Sequence, residues 1–283
     1  MVLAVKDEVA QVVSTPCTKQ HFDKFEDSEN VPENIVALIQ PSGFEEQRAP
    51  KMTPMYHLIK MASEREARGE TTYNLAAGNP KIEPPREILE SMKNLCSATL
   101  EEKACGLFKY THPAGLIQLR KNIAEEVGKW QGVPDLSEDH IIMTPGAQSA
   151  IVSVYEALLQ PGDHACVQTP FYPAYETAAK LWKAETKHID FLETNFDVDM
   201  ESLRQISKSS GKKLRVIALC SPSNPSGKIL SNETISRIAA LAREHSQRYG
   251  RDVWLLMDNT YRRMTFNGCT VPPALPVYDK TIL

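Results

Sequence analysis

This sequence predicts an α/β fold built on a mostly parallel sheet. Three observations carry that reading. Short apolar runs recur at His140–Met143, Ala165–Thr169, Arg215–Cys220 and Val253–Met257. Helical patterns separate them, most plainly over 232–249, where Ile235, Ile238, Leu241 and Ala242 share one face. Each run also stops abruptly, either in a Gly- or Pro-rich turn or at an acid. Continuous apolar runs are strands covered on both faces, and strands that alternate with helices pair in parallel.

The elements follow in order along the chain. Residues 1–50 carry nine acids against four bases, with Pro32, Pro41 and Pro50 between them and little periodicity. They read as an acidic, partly disordered leader with one short helix near Ile35–Ile39. Met55, Leu58, Ile59 and Ala62 recur at helical spacing, and Gly69 is a stop. Tyr73–Ala77 is a short apolar run closed by Gly78-Asn79-Pro80, and Pro85–Leu95 is a helix. Leu116, Leu119, Ile123 and Val127 form a stripe that Pro113 opens and that ends near Gly128. A helical pattern runs from Gln148 through Leu159, Gly250 caps helix 232–249, and Thr281–Leu283 reads as a strand.

Composition removes several classes. The chain has 283 residues, enough for one large domain or two, and a formal net charge of −4. That balance gives no basic footprint for nucleic acid. No apolar run of 18 or more residues is present, so no membrane span is expected. Polar and charged residues break up the first 13 residues, which do not read as a signal peptide. The six cysteines form no C-x-x-C pair and read as reduced thiols of a cytoplasmic protein. No G-x-G-x-x-G follows a strand, which sets aside a nicotinamide site.

In open α/β sheets ligands bind beyond the carboxyl ends of the strands, and the unusual residues collect there. Gly146-Ala147-Gln148 opens a helix and can turn backbone amides toward an anion, although an ordinary turn would look the same. Tyr172, stiffened by Pro173, can lay a ring against a planar ligand or simply pack under its loop. Asn224, in Asn-Pro-Ser-Gly, offers an amide at a strand end, in residues that turns also prefer. Asp258 ends a buried strand and needs a cation or strong donors. A protonated ring nitrogen would serve, as would a cap or a salt bridge to Arg262 or Arg263, and Tyr261 can share the site. An anion cradle, a stacking ring, an amide and a carboxylate together describe a site for pyridoxal phosphate, whose ring is an electron sink when its nitrogen is protonated.

From Pro54 onward the chain resembles the class I/II aminotransferases, the fold type I pyridoxal-phosphate enzymes. Six motifs in the family's order carry the resemblance: Asn74–Pro80, Tyr110–Leu116 with Leu119-Arg120, Pro145–Gln148, Pro170–Pro173, Asn224–Gly227 and Asp258–Tyr261. It implies an α/β/α sandwich at 73–283, the cofactor-binding large domain incomplete at its C-terminus. Residues 51–72 would form an N-terminal arm belonging with the small domain. It implies that Gly146, Ala147 and Gln148 bind the phosphate and that Tyr172 stacks on the ring. Asn224 and Tyr261 would bond the ring hydroxyl, Asp258 would pair with the ring nitrogen, and Gly78 would line the substrate-carboxylate end. Tyr110 would reach the phosphate of a neighbouring subunit, which implies a homodimer.

The resemblance also implies an amino acid and a 2-oxo acid as substrates. It places the Schiff-base lysine beyond Leu283, so that no catalytic residue is assigned within the chain. Lys280 has no matching motif around it, and Asn259 stands where the family usually has an acid. A chain without that lysine is expected to hold the cofactor more weakly and to lose fast transamination. Two other readings stay open. One is a lyase of the 1-aminocyclopropane-1-carboxylate synthase type, and the other is a non-catalytic cofactor-binding or dimerising product.

Overall fold

The computed structural model describes residues 54–73, 82–100 and 110–283. Contacts divide the chain into two units, residues 1–101 and 102–283. The leader and the helix expected near Ile35–Ile39 lie outside the described residues, as do Asn74–Pro80.

In the first unit α1 spans Pro54–Ala67 and α2 spans Arg86–Leu100. Gly69, at φ +78°, turns the chain out of α1 while its amide bonds the Glu66 carbonyl at 2.8 Å. Pro85 precedes α2, and its carbonyl accepts from Ile88 at 3.0 Å. The helix expected over Pro85–Leu95 runs on to Leu100.

The second unit holds the sheet. Its elements are α3 (Ile117–Gln131), α4 (Ala147–Leu158), β1 (His164–Gln168), α5 (Ala174–Leu181), β2 (Glu185–Ile189), α6 (Met200–Ser210), β3 (Leu214–Cys220), α7 (Asn232–Tyr249), β4 (Trp254–Asp258) and β5 (Thr281–Ile282). The order across the sheet is β2-β1-β3-β4-β5, and every pair is parallel.

Alternate side chains feed two cores. Cys166, Ile217, Leu219, Leu255 and Met257 meet Leu203 of α6 and Ile235 and Ile238 of α7 on one face. Ala165, Val167, Val216, Ala218 and Leu256 meet Ile151 and Tyr155 of α4 and Tyr175 and Ala178 of α5 on the other. The result is the expected helix–sheet–helix sandwich.

Two expectations are corrected. His140–Met143 is not a strand. Glu138–His140 is a single 3₁₀ turn capped by Ser137, after which Met143 donates to Ala114 at 2.9 Å and Ile142 stands 73% exposed. The apolar residues there cover no sheet. The stripe expected to end near Gly128 continues to Gln131, and Gly132 (φ +67°) is the cap. Gly128 serves close packing instead, since a Cβ there would stand 2.8 Å from the Val133 carbonyl oxygen.

The segment between β4 and β5 is docked onto α3. Trp130 Nε1 donates to the Val271 carbonyl at 3.0 Å, and Gln131 Oε1 accepts from Ala274 and Leu275 at 2.8 and 2.9 Å. At the opposite end of the sheet from Asp258, Arg251 clasps the buried Asp163 through two bonds of 2.5 and 2.8 Å. Among the described residues, no helix is long and apolar enough to cross a membrane.

Candidate active site

Parallel register sets the site. Cys220, last in β3, faces Asp258, last in β4. The loops that leave these strands are stitched together by Ser221, which is fully buried. Its amide donates to the Asp258 carbonyl at 2.9 Å, its carbonyl accepts from Asn259 Nδ2 at 2.8 Å, and its hydroxyl accepts from Leu230 N–H at 3.0 Å. The amide at Asn259 supplies a donor that an ionised acid could not.

Asp258 meets donors, not arginines. Tyr175 donates its hydroxyl to Oδ2 at 2.6 Å, while Thr260 donates its hydroxyl and its amide to Oδ1 at 2.6 and 3.0 Å. Arg262 and Arg263 both bond Glu126 instead, and Arg262 lies over the Trp130 ring at 4.6 Å. The salt bridge considered for Asp258 is therefore not formed, and the carboxylate stays open to a cation from outside. Burial, then the neighbouring Asp258 charge, raises the pKa of the Tyr175 hydroxyl. The same two causes, in that order, push the Cys220 thiol up to about 11. Both groups are neutral donors at physiological pH.

The remaining residues form two further pairs. Tyr172 OH lies 3.5 Å from Gln148 Oε1, joining the loop before α5 to the start of α4. Asn224 Nδ2 lies 3.4 Å from Tyr261 OH, joining the loops after β3 and β4. Tyr172 and Tyr175 are linked in turn, because the Tyr175 amide donates to the Tyr172 carbonyl at 3.3 Å.

At the N-cap of α4, Gly146 has φ +88°, ψ 163°, and no side chain caps the helix. Nothing stands within 4 Å of where a Cβ at Gly146 would lie. An uncapped helix start with open space beside it fits a phosphate. The three donors to Asp258 leave carboxylate lone-pair capacity for a protonated ring nitrogen. On these two observations the residues fit pyridoxal phosphate.

Tyr110, by contrast, is fully exposed, at 107%, and touches none of these groups. Gly78 lies outside the described residues. Lys280 sits at the far end of the sheet, 3.3 Å from Asp252 and over the Trp254 ring. Sequence reasoning missed Tyr175 and Thr260. The available signals were a second tyrosine one helical turn after Tyr172 and a hydroxyl two residues after Asp258.

Residues 70–281 match the family model for aminotransferase class I and II. The chain belongs to the class I and II aminotransferase family. Family members use pyridoxal phosphate. The chain is 27% identical over 225 residues to the aspartate aminotransferase of Bacillus subtilis, covering 78% of this chain and 53% of that protein. It is 31% identical over 210 residues to a probable aspartate aminotransferase of Methanocaldococcus jannaschii, covering 74% and 51%. The aspartate aminotransferase structure from Thermotoga maritima superposes with a TM-score of 0.70 at 25% identity, covering 82% of this chain and 58% of that one. The alanine aminotransferase structure from Pyrococcus furiosus does so at 0.70 and 26%, covering 82% and 56%. The chain spans about half the length of the curated relatives it matches.

Proposed function

We propose that this chain is the cofactor-binding part of an aminotransferase that moves an amino group between an amino acid and a 2-oxo acid. One observation carries the reading. Asp258 is held by neutral donors at the end of β4, with no cation upon it among the described residues, in the same cluster of loops as the uncapped start of α4.

The residues divide the work. Backbone amides of Ala147 and Gln148 would hold the phosphate, and Tyr172 would cover a ring face. Asn224 and Tyr261 would bond the ring hydroxyl, and Asp258 would keep the ring nitrogen protonated. When bound, the cofactor supplies an electron sink at the substrate α-carbon. Gly78 would line the substrate-carboxylate end. We also place the protein in the cytoplasm as a homodimer. Cys96, Cys166, Cys220 and Cys269 are free thiols, and the exposed Tyr110 is available to a second copy.

Titration of the chain with pyridoxal phosphate, followed by quenching of tryptophan fluorescence, tests the reading. Saturable binding to one site per chain is expected. Asp258→Ala should weaken it about tenfold or more, because it removes a charged hydrogen bond worth about 1.5–3 kcal/mol. An absence of saturable binding would overturn the proposal.

A further inference from the structure

We propose that Tyr175 is a positioning residue. With Thr260 on the other oxygen, it aims the Asp258 carboxylate, so that selectivity for a protonated aromatic nitrogen depends on a side chain that never touches the ligand. This rests on the reading of the site as one for pyridoxal phosphate.

The geometry is specific. Tyr175 stands in the first turn of α5, is 1% exposed, and packs in the core between that helix and the sheet. Its hydroxyl crosses to a residue 83 positions along the chain and meets Oδ2 at 2.6 Å. That is the length of an O–H donor on an ionised oxygen. Thr260 fixes Oδ1 through two bonds from one residue. A carboxylate held by donors on both oxygens cannot turn about its own bond without breaking one of them.

Two ionised oxygens offer about four acceptor sites. The three donors leave capacity for roughly one more, enough for a single N–H and too little for the two-point grip of an arginine fork. The other neighbour does not compete for the Tyr175 proton as an anion would. Cys220 bonds the Pro222 carbonyl at 3.2 Å, and its thiol is neutral. Outer partners of this kind set the orientation of the groups that touch a ligand.

The test compares two probes on the full chain. One is pyridoxal phosphate, and the other is its carbocyclic analogue with C–H in place of the ring nitrogen. Wild type should prefer the first. Tyr175→Phe, which keeps the ring in the core, should cut that preference about tenfold and leave the analogue's affinity within about twofold. Thr260→Val, at an exposed position, should shift the preference in the same direction. It carries the test if Tyr175→Phe fails to fold by circular dichroism.

An unchanged preference in a folded variant would overturn the proposal. Equal weakening of both probes would also overturn it, since it would show a merely structural role. Failure of wild type to bind pyridoxal phosphate would instead bring down the reading of the site, and this proposal with it. The two failures are therefore distinguishable.

Discussion

Asp258 shows how much one residue depends on its neighbours. Two arginines stand four and five positions after it, yet both are spent on Glu126, and hydroxyls take their place. The sequence marks Asp258, because an acid ending the run Val253–Met257 needs partners. It does not mark which partners. Tyr175 comes into reach only once α5 lies on the sheet, a tertiary fact with no local pattern. Tyr172 was legible for the opposite reason, since its flanking Phe171 and Pro173 set it apart within the chain. Its proposed role is separable from packing. Tyr172→Leu keeps apolar volume and removes the ring face. Pyridoxal phosphate affinity should fall about threefold to tenfold, in line with stacking worth about 0.5–1.5 kcal/mol, while the melting temperature changes little.

At the scale of elements, legibility follows burial. β1, β3 and β4 are covered on both faces and announce themselves as apolar runs. β2 is an edge strand of sequence Glu-Thr-Lys-His-Ile, buried only at Ile189, so its pairing with β1 leaves no apolar signature. His140–Met143 is the reverse case, apolar in composition but without a strand partner among the described residues. Helix α6 was also silent, since much of its surface is polar. Its start, however, is defined by Asp199, whose carboxylate accepts from the amides of Glu201 and Ser202 at 2.8 and 3.4 Å. Asp199→Ala should cost about 1 kcal/mol. Thermal melting should show this as a fall of about 2–4 °C for a chain of this size, with cofactor affinity unchanged.

For the whole molecule, parallel order and a three-layer sandwich were readable because strand–helix alternation allows few other arrangements. The division at residues 101 and 102 was not readable, because it depends on contacts and no composition shift accompanies it.

Two buried histidines tie overall stability to pH. Burial is the largest cause lowering the pKa of both His164 and His245. The lowered value means that the unfolded chain takes up these protons first. Stability is therefore unaffected by them above the unfolded value of about 6.5 and declines as pH falls from there toward the folded values. His245 bonds Ser207 Oγ at 2.7 Å and the Gly211 carbonyl at 2.9 Å. His245→Gln keeps a polar group there and removes the titration. Urea midpoints measured between pH 7.5 and 5.5 should fall less steeply in that variant than in wild type.

Ser221 has one more implication. Its hydroxyl accepts from Leu230, so the segment between them is a closed ring whose perimeter is set by a single buried oxygen. Within it, Ser223 and Lys228 pair across at 2.9 Å, which leaves Asn224 at the tip. Such a ring tolerates a change of residue but not a change of length. An inserted residue would have to break the seam at Ser221, and that seam also fixes the strand end bearing Asp258. The spacing from Ser221 to Leu230 is thus an inherited ruler. Relatives should keep its circumference together with the Asn224 that it holds out.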